Sequence, residues 1–167
     1  MELLAAIESR SSAARLGLPA PTPEHLARIL DAAAHAPDHG RLRPWRFIVV
    51  DAGLRDGFAL AAASAKRVRL PSMSEEQFAA ECEKMKNSPT IVVVGCTVHR
   101  EHKVPEIEQV IAAAAAAENL FLAAHDLGYG VMWKTGAAAY DAGVKAAIGL
   151  SAEDHIVGIM HLGTRLK

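Results

Sequence analysis

The sequence predicts an α+β fold in which one β-sheet carries helices packed on it. Segments with helical and with strand character alternate along the chain, but without the strict strand–helix–strand rhythm of a parallel α/β protein. The length of 167 residues corresponds to about one domain, so we expect a single domain over 1–167. A hydrophobic fraction of 51% with 22% charged residues is ordinary globular composition and excludes a disordered chain.

Charge and hydropathy exclude several classes of function. The 18 basic and 19 acidic side chains give a net charge of −1, which leaves no basic surface for nucleic acid or anionic lipid. The longest apolar runs, 91–98 and 110–117, are shorter than the roughly 20 residues that a membrane span needs. The chain does not open on a secretory leader pattern, and two cysteines are too few for a disulfide framework. We therefore expect a cytoplasmic protein without membrane or nucleic-acid partners.

Periodicity and end signals place the elements in order. Thr22 is a good N-cap and Pro23 suits the first position of a helix, whereas Pro37 disfavours helical geometry in the residue before it. The apolar run 91–96, with three valines, indicates a fully buried strand. The longest helix ends near Gly128, as helices often do at glycine. We expect helices over 2–9, 23–36, 53–65, 75–87, 106–128 and 141–148, strands over 45–50, 91–96, 131–133 and 155–162, and a mobile segment over 66–74.

Metal and hydrolytic sites are not indicated. The chain has neither the glycine-rich dinucleotide motif nor a P-loop. His35 and His39 are spaced as zinc ligands on a helix are, but Pro37 between them prevents a shared helical face. Asp38 and His39 are adjacent in sequence, so their side chains diverge, and no nucleophile elbow accompanies them.

Two short polar segments are candidates for ligand binding. Arg10, Ser11 and Ser12 follow the first helix and offer a guanidinium and two hydroxyls, groups that bind phosphate. Lys134 and Thr135 follow a short strand, and strand ends commonly carry ligands. Taken alone, the segment 10–12 is better explained as a solvated helix end, and Lys134 and Thr135 are only a weak signal at a strand end. The alanine run 112–117 would let another helix approach closely, in particular the same helix of a second subunit.

Together these segments resemble the nitroreductase family of flavoproteins, and within it the small bacterial YdjA-type branch. The match is collinear over nearly the whole chain. The matching motifs are 10–16 (RSSAARL), 36–39 (APDH) with Pro44, Trp45 and Phe47, 102–105 (HKVP) with Glu108 and Gln109, Ala123, Ala124 and 127–130 (LGYG), 133–137 (WKTGA), and 156–158 (IVG) with 162–164 (LGT).

The resemblance implies a mixed, mainly antiparallel central sheet flanked by helices, and a homodimer that holds FMN in two clefts at the subunit interface. The residues that would contact FMN by similarity are Arg10, Ser11 and Ser12 at the phosphate and ribityl chain, Trp133, Lys134 and Thr135 beside the flavin, and His35 and His39 from the partner subunit. A segment containing Ala123, Ala124 and Gly128 aligns with a nicotinamide contact.

Three positions depart from the family pattern and make the phosphate pocket less cationic. Ser11 stands where a second arginine is usual, Lys134 replaces an arginine, and His35 stands where arginine is common. The chain also stops at Lys167, where relatives continue with a tail that embraces the other subunit.

The implied function is an FMN-dependent oxidoreductase that passes a hydride from NAD(P)H to a nitroaromatic, quinone or similar acceptor in a ping-pong cycle. A flavin supplies the redox chemistry itself, so no catalytic side chain is expected. Two alternatives stay open, a non-enzymatic flavin carrier or redox sensor, and an enzyme that uses the cleft for a different ligand.

Overall fold

The computed structural model describes residues 2–166, which form five strands and six α-helices. The strands are β1 (Leu16–Gly17), β2 (Trp45–Val49), β3 (Thr90–Cys96), β4 (Gly130–Lys134) and β5 (His155–Arg165). The helices are α1 (Leu3–Ser9), α2 (Pro23–Ala33), α3 (Ala52–Arg69), α4 (Glu75–Lys86), α5 (Glu106–Asp126) and α6 (Ala142–Ala147), with short 3-10 helices over His39–Arg41 and Ala138–Tyr140.

The eleven-residue β5 organises the sheet. It pairs with β3 and with β4, its last residues pair with β1, and β2 pairs with the other edge of β3. Every strand pair in the described residues is antiparallel. The predicted α+β fold with a mainly antiparallel sheet is therefore confirmed.

Alternation along β3 divides the core between the two faces of the sheet. Ile91 and Val93 pack with α3 and α6, while Val92 and Val94 pack with α2 and α5. Successive side chains of a strand point to opposite faces, so a strand covered on both sides is apolar throughout. All seven residues of β3 are buried, which confirms the predicted buried strand.

Several element ends differ from the sequence-based expectation. α3 begins on an Asp51 N-cap and continues to Arg69, so residues 66–69, expected to be mobile, are helical. Three basic residues in its last turn favour this extension, because cations stabilise a helix C-terminus. α2 ends at Ala33, before the expected boundary. The sequence pattern does not predict β1, because two residues show no periodicity.

The long helix α5 packs its alanines on the chain's own sheet. Ala112, Ala113, Ala116 and Ala117 are buried in this structure. By length and composition α5 is the one helix within residues 2–166 that could cross a membrane, although part of it belongs to the core. A stripe on its other side leaves Ile107 and Ile111 about 60% exposed (62% and 59%).

Candidate functional site

The polar segment 10–12 is positioned by the edge of β4. The backbone N–H of Ala13 donates to the carbonyl of Val131 at 2.8 Å, and Leu16 pairs with Arg165 of β5. A Cβ atom at Gly130 would lie 2.7 Å from Cδ2 of Leu16 and 2.9 Å from Cβ of Ala13. Glycine at this position therefore permits the close approach that brings the segment to the sheet.

Arg10 is anchored on α5 and remains accessible. Its guanidinium carbon lies 4.7 Å from the centre of the Phe121 ring, and its Nε lies 4.0 Å from Oε1 of Glu118. The side chain keeps 32% of its surface exposed. Both contacts hold the cation at the surface, where it can bind an anionic ligand.

A second cation, Arg165, lies beside the same segment. Its Nη2 donates to the carbonyl of Ser11 at 2.7 Å, and Ser11 and Ser12 are exposed. Sequence reasoning missed Arg165, although it directly follows Thr164 of a matched motif. The Ser11–Arg165 contact joins residues from opposite ends of the chain, which no local pattern predicts.

Trp133 and Lys134 project from opposite faces of β4. The Trp133 Nε1 donates to the carbonyl of Val157 at 3.1 Å, and its ring packs against the core on the α2 and α5 side. Lys134 and Thr135 instead line a cavity of about 480 Å³ on the other face, here called the larger cavity. The structure thus brings Lys134 and Thr135 together and places Trp133 apart from them.

A smaller cavity of about 240 Å³ lies beside this region. It is bounded by Ala13 and Ala14, which directly follow the segment 10–12, and it shares Lys84, Lys134 and His161 with the larger cavity. The two cavities are therefore neighbours along β4, and together they are called the groove beside β4.

Cations outnumber acids in the larger cavity. Lys66, Arg69, Lys84 and Lys134 line it together with a single carboxylate, Glu81. Glu81 binds Lys66 at 2.5 Å and lies 3.8 Å from Lys84. The sequence alone predicts only a helix over 75–87, because most of the side chains that share the cavity with Lys84 and Glu81 come from other parts of the chain.

The pKa values respond to this charge. Burial works to raise the pKa of Glu81, but the hydrogen bond from Lys66 and the nearby lysine charges bring it below its usual value. Burial, with repulsion from Lys84 and Lys66, lowers the pKa of Lys134. Burial, followed by the charges of Lys134 and Lys84, lowers the pKa of His161 to about 4.

His35 and His39 lie away from the groove. His35 is exposed, with its Nε2 3.8 Å from Asp31, and His39 binds Glu108 at 2.5 Å. His39 and Glu108 line a separate cavity of about 250 Å³. Glu108 and Glu118, the residue near Arg10, are about 15 Å apart along α5. One chain does not gather the two histidines and Arg10 at a common cavity.

The residues aligned with a nicotinamide contact lie at the end of α5. Ala124 is fully buried in the core, and Ala123 lines a cavity of about 320 Å³ next to α1. Gly128 is exposed and adopts a φ of 85°, which glycine accommodates readily. None of the three lines the groove beside β4.

Arg41 and Arg43 are further cations that sequence reasoning missed. Both adopt positive φ values, 57° and 47°, in the loop that follows His39. The backbone N–H of Arg43 donates to Oδ2 of Asp38 at 2.6 Å, which stabilises this turn. Both arginines line a cavity together with His35. An arginine at positive φ is uncommon, so the sequence carries no signal for it.

Comparison with known proteins assigns this arrangement to a family. The sequence model described as "Nitroreductase family" matches residues 7–164. The Escherichia coli K12 protein named "Putative NAD(P)H nitroreductase YdjA" is 34% identical over 168 residues, which cover 98% of this chain and 88% of that protein. These matches confirm the resemblance inferred from the motifs.

Solved structures of nitroreductase-like proteins share the fold of this chain. The nitroreductase-like family protein from Bacillus cereus superposes with a TM-score of 0.79 at 25% identity, over 100% of this chain and 87% of that one. A Desulfovibrio desulfuricans protein determined in complex with FMN gives a TM-score of 0.75 at 25% identity, over 100% and 88%.

Proposed function

The chain belongs to the nitroreductase family. From this premise we propose that it binds FMN beside β4, at the smaller cavity, and uses NAD(P)H to reduce a small-molecule acceptor. The observation that carries the proposal is the smaller cavity, whose wall runs from Ala13 and Ala14, directly after Arg10, Ser11 and Ser12, to Lys134. Arg165 lies beside the same segment through its bond to Ser11, and Thr135 lines the adjoining larger cavity. The FMN complex of the Desulfovibrio desulfuricans relative supports the choice of cofactor.

The residues of the groove fit FMN. A phosphate needs cations and hydrogen-bond donors, and Arg10, Arg165 and the hydroxyls of Ser11 and Ser12 supply both. The ring system needs a concave wall with apolar surface and a few polar groups, which Ala13, Leu16 and Met132 provide beside Asn87 and Ser88 in the smaller cavity. Lys134 borders both cavities and Thr135 lines the larger one, so both residues could contact the bound cofactor.

FMN, when bound, would supply the hydride and electron transfer between NAD(P)H and the acceptor. The protein's part is to hold the cofactor and to offer one opening to both substrates in turn. Oxidised nicotinamide then leaves before a nitroaromatic or quinone enters, which is a ping-pong order. The polar groups of the groove bind and orient, and none has to act as nucleophile.

We propose that the active form is a homodimer. Within one chain the two histidines lie away from Arg10, His39 and His35 lining two other cavities, so a shared flavin contact requires His35 and His39 of a second copy. Ile107 and Ile111 form an exposed apolar stripe on α5. Exposed apolar residues in a row favour burial against another surface, and a twofold dimer would cover this stripe with its own copy.

The absorbance spectrum of the purified protein tests the proposal. We expect flavin bands that bleach on anaerobic addition of NADH or NADPH, and parallel double-reciprocal plots when the acceptor concentration is varied. A colourless protein that takes up no added FMN would contradict the cofactor assignment. Converging plots would contradict the ping-pong order alone.

A flavin carrier or redox sensor is the second candidate. It is favoured by the serine at position 11, which leaves the proposed phosphate pocket with fewer cations. Stopped-flow reduction separates the two functions. A carrier would bind FMN but would be reduced negligibly slowly by either nicotinamide, whereas an enzyme turns over. Poor FMN binding by an otherwise stable dimer would instead favour an enzyme with a different ligand.

A further inference from the structure

The larger cavity holds positive charge that the protein does not neutralise. Lys66, Arg69, Lys84 and Lys134 line it against one carboxylate, Glu81. The whole chain has a net charge of −1, so this concentration of cations is local. Like charges at close range repel, and a bound anion offsets that repulsion.

The carboxylate is already engaged. Glu81 keeps only 15% of its side-chain surface exposed and is held between Lys66 and Lys84. Lys134 is half-buried, and no described acidic group forms an ion pair with it. Burial and the charge of Lys84 lower its pKa. An anion that enters the cavity would therefore pair with Lys134 and with the exposed side of Lys84.

The rest of the wall is apolar. Ala62, Leu70, Met85, Ala137 and Ile159 line the cavity between the cations. Such a surface contacts a small ring or short hydrocarbon without leaving polar groups unpaired. A ligand that suits both parts of the wall combines an apolar body with one anionic group.

The unpaired ring nitrogen of His161 independently indicates that a ligand binds in this cavity. Its side chain lines both cavities, the residue is 5% exposed, and its Nε2 has no hydrogen-bond partner within residues 2–166. An unpaired buried polar atom is costly and uncommon in folded proteins. The imidazole is also neutral, so it adds no further repulsion and no attraction of its own for the anion.

We propose that the larger cavity binds the electron acceptor, and that this acceptor carries an anionic group on a small apolar ring, an aryl carboxylate being the type. The inference rests on the proposed function, because the shared wall of Lys84, Lys134 and His161 puts the cavity next to the proposed flavin site. For a nitroaryl carboxylate, the balanced reaction converts the nitro group, NAD(P)H and a proton into a nitroso group, NAD(P)⁺ and water.

Calorimetric titration of the oxidised holoprotein with benzoate and with benzamide tests the charge requirement without turnover. The two probes share a ring and differ in charge. We expect benzoate to bind about tenfold more tightly or better, the range of a charge-assisted hydrogen bond. In kinetics, 4-nitrobenzoate should show a correspondingly lower KM than 4-nitrobenzamide. Equal affinities for the two probes would overturn the proposal.

Substitutions on α4 provide matched variants. Lys84→Gln should remove most of the preference for benzoate, and Lys84→Arg should retain it. Lys86→Gln is the control, because Lys86 lies on the same helix and pairs with Asp56 and Glu83 but does not line the cavity. Loss of the preference in Lys86→Gln, or its survival in Lys84→Gln, would contradict the assignment.

Binding of FMN and of riboflavin to Lys84→Gln shows whether Lys84 binds the anionic group of the acceptor or the phosphate of the cofactor. If Lys84→Gln weakens FMN binding while riboflavin binding is unchanged, the lysines serve the phosphate and the proposal fails. Failure of the proposed function is a separate result, since it would appear as a protein without bound flavin. In that colourless protein, a preference for benzoate over benzamide would still support an anion site in the larger cavity, and equal binding would contradict it.

Discussion

Nδ1 of His161 lies 2.9 Å from Oγ of Ser88, and this hydrogen bond holds the imidazole against the wall that the two cavities share. Burial, with the charges of Lys134, Lys84 and Arg55, lowers the pKa of His161 to about 4. The ring is therefore neutral at neutral pH and presents an uncharged edge among cations.

The depressed pKa of His161 predicts a loss of stability in acid. The unfolded histidine binds a proton near its ordinary pKa of 6.5, whereas the folded one resists until about pH 4. The unfolded state thus binds more protons in this window, so the free energy of unfolding falls as pH falls from 6.5 towards 4. The upper limit of the loss is about 3 kcal/mol.

Urea unfolding of the wild type and of His161→Asn at pH 7 and pH 4 measures this contribution. Asparagine keeps a hydrogen-bonding group near Ser88 but does not titrate. We expect a smaller pH dependence in the variant. Identical pH dependence in both proteins, or an NMR titration of His161 near pH 6.5, would show that the imidazole is not held neutral.

Removal of the Arg10 guanidinium should weaken FMN binding. Arg10→Ala deletes the cation that stacks on Phe121, and we expect a loss of about 1.5–3 kcal/mol, the range for a hydrogen bond to a charged group. Fluorescence titration with FMN measures the dissociation constant. Riboflavin, which lacks the phosphate, is the control ligand and should bind the variant and the wild type alike. An unchanged FMN affinity would remove Arg10 from the site.

Gly130→Ala should displace the segment that carries Arg10. The new methyl group would lie 2.7 Å from a Leu16 methyl and 2.9 Å from the Ala13 methyl, closer than packed atoms allow. We expect destabilisation of about 1–3 kcal/mol, as for overpacking, together with weaker FMN binding.

Gly57→Ala is the matched control for that substitution. Gly57 lies within α3, and no heavy atom outside its own helix turn would meet the added Cβ within 4 Å. Alanine should therefore raise the free energy of unfolding by roughly 0.5–1 kcal/mol. Thermal unfolding of both variants measures the two effects, and equal melting temperatures would contradict the steric argument.

Charge on the exposed stripe of α5 should dissociate the proposed dimer. Ile107→Asp and Ile111→Asp place carboxylates where an apolar interface is proposed, so sedimentation velocity should show monomers with reduced FMN content. Leu60→Asp is the control, because Leu60 of α3 is similarly exposed, at 56%, on the opposite face of the sheet. A wild type that sediments as a monomer, or a control that dissociates equally, would argue against this interface.

Local chemistry made much of the fold predictable. The Thr22 N-cap and Pro23 begin α2 where expected, because both act within one helical turn. The valines of β3 indicate a strand covered on both faces whatever the partners are. The motif of Arg10, Ser11 and Ser12 was recognisable as a group because its residues are contiguous.

The composition of the groove depended on contacts between distant parts of the chain. Arg165 meets Ser11 across nearly the whole length of the sequence, and Lys66 meets Glu81 across two helices. Local patterns carry no information on such pairs, since they arise when separate elements pack. Because neighbouring residues of a strand point to opposite faces, the sequence predicts that Trp133 and Lys134 lie on opposite sides of the sheet. Only the folded structure shows which of the two faces holds the cavity.

The sequence by itself therefore determined the order and type of the main elements, the family, and the contiguous residues proposed to bind phosphate. The tertiary structure alone decided that four cations and a neutral histidine surround one cavity, and that His35 and His39 stand apart from it. The physical reason is the sequence separation of the interacting residues. Helix caps and hydrophobic periodicity act over a few residues, whereas the charge of a cavity depends on side chains that are distant in sequence and meet only on folding.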